Sequence, residues 1–175
     1  MCSGASLFLG TTSIPNKPHR VVLADVAETY ASGDVIGTLK ELNCAVLVPG
    51  GLAKVLQVRV YEQSPPGTQV KAPLRLHFFK KPYTPPAQGA PFKAYQTATE
   101  YLGNIDVASG DYIEVGDGIG TDPDWAFAKV SLESAGMFLR AEENFSKVWM
   151  LAEVRDTAVY TGAATLTIEI ETIQY

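Results

Sequence analysis

The sequence predicts an all-β fold: an antiparallel β-sandwich of jelly-roll type with an extended N-terminal arm. Three observations carry this. From Thr165 to Glu171 the chain alternates strictly, with Leu166, Ile168 and Ile170 on one side and Thr165, Thr167, Glu169 and Glu171 on the other. That period of two marks a strand with one greasy and one wet face. The same period returns in short runs along the chain, punctuated by Gly- and Pro-rich turns, the spacing of a sandwich or barrel. No long helical pattern interrupts it.

Residues 1–18 read as an arm, rich in Ser, Thr, Gly, Asn and Pro and without periodicity. Pro15 and Pro18 work against a hydrogen-bonded ladder there. Inside this polar stretch stands the apolar cluster Leu7, Phe8 and Leu9, which either folds back on its own domain or is ordered by a neighbouring subunit. Residues 19–175 form a single domain, long enough to bury a sizeable core.

The first strand of that domain runs from Arg20 to Ala24, and Val26 to Tyr30 extends it past a bend. Ser32-Gly33-Asp34 is a turn. Val35 to Lys40 and Cys44 to Val48 are short strands, and Pro49-Gly50-Gly51 turns the chain again. Ala53 to Tyr61 is a strong strand, with Leu56, Val58 and Val60 alternating with Gln57, Arg59 and Tyr61. Pro65-Pro66-Gly67 closes it. Leu74 to Phe79 follows, with Leu74, Leu76 and Phe78 on one face and Arg75, His77 and Phe79 on the other, its aromatic and aliphatic content suited to a pleated, half-buried surface. Residues 80–95, with Pro82, Pro85, Pro86 and Pro91, make a long surface loop of the kind that carries binding or assembly roles. Strands resume at Ala98 to Val107, Tyr112 to Val115, Trp125 to Leu132, Met137 to Ala141 and Lys147 to Arg155. A helical turn over Met137 to Glu143 is the alternative there. The total is roughly eight to ten strands.

Composition narrows the function. The chain is 46% hydrophobic and 19% charged, poorer in charge than an average soluble domain, as expected where partners cover part of the surface. Its net charge is −5, and Lys80-Lys81 is the only adjacent basic pair, so the clustered cations that displace counterions from nucleic acid are missing. No stretch approaches the roughly 20 apolar residues of a membrane span, and the segment at Leu7-Phe8-Leu9 is too short for a signal peptide. Synthesis and folding in a cytoplasm, without nucleic-acid or membrane partners, are expected. Cys44, in an apolar run, reads as a buried structural thiol, and two cysteines make neither a disulfide framework nor a zinc site.

No residue set reads as catalytic, cofactor-binding or metal-binding. Asp117, Asp122 and Asp124 share a Gly-rich loop, but their spacing is not that of a calcium loop and no closing Glu follows. Gly116, Gly118 and Gly120 precede a strand, whereas a phosphate loop needs a helix N-terminus. His77 lies mid-strand, where a hydrogen-bonded or surface role is the plain reading. A triad would require a nucleophile and an orienting carboxylate beside it, and no Gly-x-Ser-x-Gly elbow is present. Glu142-Glu143 reads as a solvated turn. Trp125, Phe127, Trp149, Tyr101 and Tyr112 could line a sugar-binding groove, although core packing accounts for them too.

Two stretches carry a resemblance. Tyr30-Ala31-Ser32-Gly33-Asp34-Val35-Ile36-Gly37 resembles the Y-x-x-G-D-V-I-G opening of small virion structural proteins of tailed bacteriophages. There too a Gly-containing turn and a long strand follow. Residues 147–168 are similar to the same group's ending, a strand, a Thr-containing turn and a final alternating strand. The likeness covers about a third of the chain, and the Pro-rich loop and the arm depart from it. The resemblance implies a decoration or cement protein of the phage head. Its partner would be the major capsid protein, its own state a homo-trimer, and its place the capsid surface of the virion. It implies no cofactor and no enzymatic activity. A tail or head-fibre component is the alternative within that class, and a carbohydrate-binding module the alternative outside it. The expected contacts to capsid or partner are Leu7, Phe8 and Leu9 in the arm and Tyr83 and Phe92 in the loop.

Overall fold

The computed structural model describes residues 14–15, 18–23, 28–93, 99–115, 123–132, 134, 136–160 and 164–175. In chain order the strands are β1 (Ile14–Pro15), β2 (His19–Leu23), β3 (Thr29–Tyr30), β4 (Val35–Leu42), β5 (Leu52–Ser64), β6 (Leu74–Phe79) and β7 (Tyr101–Val107). They continue with β8 (Tyr112–Val115), β9 (Asp124–Ser131), β10 (Phe138–Arg140), β11 (Val148–Val154), β12 (Ala158–Val159) and β13 (Thr165–Gln174). A short 3-10 turn at Ser109–Asp111 leads into β8.

Eight of these strands nest like one long hairpin. β2 pairs with β13, β4 with β11, β5 with β9 and β6 with β7, all antiparallel. Winding that hairpin on itself gives two sheets, β2-β13-β5-β9 and β4-β11-β6-β7. This is the jelly roll that the alternation and turn spacing predict. β1 and β8 extend the first sheet at opposite edges, β10 adds to β5, and β3 with β12 form a separate two-stranded ribbon.

The core lies between the sheets. Val58, Val60, Ala126, Ala128, Leu166, Ile168 and Ile170 face Ile36, Leu74, Leu76, Phe78, Met150 and Ala152, all buried. In β5 the alternation changes phase. Ala53 and Val55 point inward, then Val58, Val60, Glu62 and Ser64 do, while Leu56 is only half-buried. The cause is a bulge: Gln57 pairs with Glu171 and Val55 with Thr172, leaving Leu56 as the extra residue. The face shared by Leu56, Val58 and Val60 in the sequence reading is therefore broken at Leu56.

Two further expectations are corrected. Residues 44–48 form a turn and bends and not a strand; Cys44 itself has φ 55, in the left-handed region, which is foreign to a non-glycine residue in a regular ladder. Cys44 is half-buried and disulfide-bonded instead of a buried thiol; Cys2, the other cysteine, lies outside the described residues. Residues 138–140 pair with β5 as the strand that the sequence predicts there, and not as the alternative helical turn. The second sheet is also buried on both faces: all seven residues of β11 are buried, and so are His77 and Phe79 in β6.

The octapeptide at Tyr30 proves to be corner architecture. Tyr30 is buried, the Asp34 carboxylate accepts the Ala31 amide at 2.8 Å, and the Gly33 amide donates to the Val154 carbonyl at 2.7 Å. Val35 packs outward under the loop and Ile36 inward to the core. Gly37 has φ 76, and a Cβ there would sit 2.9 Å from Leu23 Cδ2, so no other residue fits this corner without displacing a core leucine.

Candidate interaction surfaces

The two sheets differ in what covers their outer faces. The chain itself seals the second sheet. Residues 82–93 run across it, tied down by backbone bonds from Val35 to the Ala90 carbonyl at 2.9 Å and from Phe92 to the Gly33 carbonyl at 2.8 Å. Beneath them lies a separate apolar cluster of Val35, Phe79, Trp149 and Leu151. Tyr83 packs on Phe79 with ring centroids 4.7 Å apart, and Phe92 stacks on His77 at 3.9 Å. Both expected loop contacts are thus half-buried against their own domain, each with one side turned outward. Leu7, Phe8 and Leu9 lie outside the described residues.

Under Phe92 sits a polar network that sequence reasoning missed. His77, 4% exposed, has Nε2 2.6 Å from Glu153 Oε2 and Nδ1 3.0 Å from the Tyr101 hydroxyl. Tyr101 accepts from Asn104 Nδ2 at 2.8 Å, and Glu153 Oε1 accepts from Arg155 at 2.7 Å. This pattern puts the imidazole proton on Nε2, donated to the carboxylate, with Tyr101 donating to Nδ1. Burial holds the His77 pKa below the ordinary histidine value, against the opposing pull of Glu153, so the ring is neutral at pH 7. Burial also raises the Tyr101 pKa. The orienting carboxylate that a triad requires is therefore present. The partner on Nδ1, however, is a phenol that keeps its proton, and Phe92 covers the ring. The arrangement pins a loop; among the described residues the ring contacts no nucleophile. The pairing of Glu153 with Arg75, across β11 and β6, placed the acid one pleat away in space but 76 residues away in sequence. No local signal exists for that.

The first sheet is open. Its outer face carries polar side chains toward β13 and β2, including an ion pair of Arg59 with Glu169. Toward β8 it turns apolar: Ile113 pairs with Phe127 and Val115 with Trp125 across β8 and β9, and Tyr61 lies on Phe127 at 5.1 Å. Ile113 is 66% exposed, Val115 59% and Trp125 41%. Among the described residues β8 is the last strand of the sheet, with β9 as its strand partner on one edge only. Exposed apolar side chains gathered at a strand edge mark a contact surface.

The remaining candidates are not assembled into sites. Trp125 and Phe127 lie outside the first sheet, Trp149 and Tyr101 outside the second, and Tyr112 inside, where its hydroxyl donates to the Ala72 carbonyl at 3.1 Å. Five aromatics on three surfaces form no common groove. Asp124 opens β9, buried, and accepts the Gly67 amide at 2.9 Å; Gly116 to Asp122 lie outside the described residues. Among the described residues no group of three or more His, Cys, Asp or Glu could hold a metal ion, and no helix is long and apolar enough to cross a membrane. An open depression of about 450 Å³ beside Lys80, Arg140 and Glu142 is polar and shallow, unlike the apolar concavity typical of small-molecule sites.

No protein-family model matches this chain, and no curated protein does. Among solved structures, a chain of Tomato Aspermy Virus, determined by X-ray crystallography, is similar with 15% identity and a TM-score of 0.30, over 98% of this chain and 88% of that one. A chain of Desmodium yellow mottle tymovirus is similar with 13% identity and a TM-score of 0.29, over 99% and 96%. Superpositions this loose say nothing about function, and the jelly-roll assignment rests on the strand pairing itself.

Proposed function

We propose that this chain is a virion structural protein that works by adhesion: a decoration or cement subunit on a bacteriophage capsid, bridging major capsid subunits and without enzymatic activity. The observation that carries the reading is the asymmetry of the two faces. One outer face is sealed by the chain's own loop and stiffened beneath by an aromatic cluster. The other is open among the described residues, with an apolar corner of Ile113, Val115 and Trp125 beside the Lys71–Glu114 ion pair at the edge strand. That is a body with a contact surface and, among the described residues, no assembled chemistry, in a fold that capsid proteins share with lectins. The sequence resemblance to phage virion proteins selects the capsid from those options. The proposed contacts are the arm at Leu7, Phe8 and Leu9, toward a neighbouring subunit, and the outward sides of Tyr83 and Phe92, toward the capsid.

The mechanism needs no reaction. Interface buried across a junction adds to the free energy of separating capsomers, and a stable contact of this kind buries about 800 Å² per partner. The test is to add the purified protein to phage heads that lack it. It should bind at fixed stoichiometry and raise the temperature at which the heads release DNA. Heads that neither bind the protein nor gain stability would sink this reading. Binding only at the tail or at a head fibre would move it to that part of the particle.

A further inference from the structure

We propose that the outer face of the first sheet is a docking surface whose occupant is a different protein, presenting an apolar patch edged with carboxylates. Among the described residues ten large apolar side chains are exposed, and six of them, Val22, Leu52, Ile113, Val115, Trp125 and Phe138, stand on this face. Charge on it is just as uneven. Its two carboxylates, Glu169 and Glu171, are both engaged by Arg59. Arg20, Lys129 and Arg140 are exposed there and form no ion pair with any described residue. The register sets them out. Arg20 pairs with Glu169, Glu169 with Arg59 and Arg59 with Lys129 in one row across the sheet, while Arg140 stands opposite Leu52 at the start of β5. In a chain of net charge −5, every unpaired charge among the described residues of this face is positive.

Size and sign select the occupant. β13 from Thr165 to Gln174 runs about 30 Å, and the five strands from β2 across to β8 span about 19 Å, at about 3.3 Å per residue and about 4.8 Å per strand. That footprint, about 570 Å² before the relief of the side chains is added, is on the scale of the roughly 800 Å² that each partner buries in a stable protein contact. Two copies meeting through this face would set Arg20, Lys129 and Arg140 against the same cations, which repel. Carboxylates on a different partner would meet all three. Nucleic acid would engage the cations, but Val22, Leu52, Ile113 and Val115 offer no ring for a base to stack on, whereas an apolar protein surface removes them from water. The inference rests on the capsid reading and deepens it: the capsid surface that this face meets is apolar and edged with Asp or Glu. A bridge needs two contacts, and Tyr83 and Phe92 lie across the sandwich on the other sheet.

Phage heads that lack the protein are the probe. The affinity of the wild type for them should fall about tenfold as salt rises from about 50 to about 300 mM. Lys129→Glu with Arg140→Glu should bind about tenfold more weakly at the low salt and lose most of that salt dependence. Trp125→Ala should also bind about tenfold more weakly, but keep it. All three positions are exposed, so each variant should retain the wild-type circular-dichroism spectrum; Lys129→Gln with Arg140→Gln is the milder form, with a smaller loss in the same direction. Full affinity in the charge variants or in Trp125→Ala overturns the proposal and leaves the capsid reading standing, while heads that do not bind the wild type overturn both. A wild-type oligomer that the charge variants dissociate in sedimentation would place a second copy on this face. Binding to a double-stranded DNA fragment that the same variants lose would place a polyanion there. Either result overturns the proposal.

Discussion

Replacing Glu62 with leucine should cost about 3 kcal/mol, more than half the stability of a marginal domain. Glu62 is fully buried on the inward face of β5. Its Oε1 accepts from Ser64 Oγ at 2.9 Å and from the Val70 amide at 2.6 Å; its Oε2 accepts the Lys71 amide at 2.8 Å. One side chain thus anchors the stretch that carries the chain from the first sheet to the second. Leucine fills similar volume but accepts nothing. The Ser64 hydroxyl can turn elsewhere, whereas the two amides are fixed by the backbone, Lys71 being held at φ 53. Each amide stranded without a partner costs about 1–3 kcal/mol, and part of the sum returns because a charge no longer has to be buried. Glutamine keeps one acceptor and turns an N–H₂ toward the other donor, so Glu62→Gln should cost about 1–2 kcal/mol. The assay is urea unfolding followed by tryptophan fluorescence. At about 2 kcal/mol per molar urea, the leucine variant should lose about 1.5 M in midpoint. A leucine variant with the wild-type midpoint, or one more stable than the glutamine variant, would refute the reasoning, since it would mean that water satisfies those amides.

Gly37→Ala should cost about 2–3 kcal/mol, from a left-handed backbone and from the contact with Leu23. Gly67→Ala, at φ 68 with nothing within 4 Å of the added carbon, should cost only about 1 kcal/mol, so equal losses by thermal unfolding would remove the packing argument. His77 has a lowered folded-state pKa through burial. The unfolded chain therefore binds a proton first, and stability should fall as pH drops below the ordinary value of 6.5. His77→Gln should flatten that limb, and an unchanged pH profile of the unfolding midpoint would contradict it. The Asp106 pKa is lowered by its hydrogen bond to Arg75; its contribution is present above the ordinary value of 3.8 and should be lost below it. Phe92→Ala removes the ring stacked on His77 and should raise the proteolysis rate within residues 82–93 without unfolding the sandwich; an unchanged cleavage rate would show that the loop is held by its backbone alone.

The alternation in β13, β6 and the outer half of β5 was legible because one inward-facing row of Val, Leu and Ile survives in each. The phase change at Leu56 was not, because a bulge answers to the partner strand, and β13 lies more than a hundred residues away. The run at 44–48 read as a strand from apolar content alone, yet the positive φ of Cys44 is set by the turn joining β4 to β5. The site followed the same rule. The loop at 80–95 was visible as proline and glycine; that Tyr83 and Phe92 press one side into the second sheet was not, since Phe79 and His77 read as an outward, half-wet face. The corner at Ile113, Val115, Trp125 and Phe127 appeared as two unrelated strands until pairing brought them side by side.

Local chemistry alone determined the fold class, the turns and most strand positions, because a period of two and the demands of Gly and Pro act over a few residues. The tertiary structure alone decided which faces meet water. Burial depends on what another stretch of chain lays across a sheet, and for this protein that is a loop over one sheet and open surface on the other.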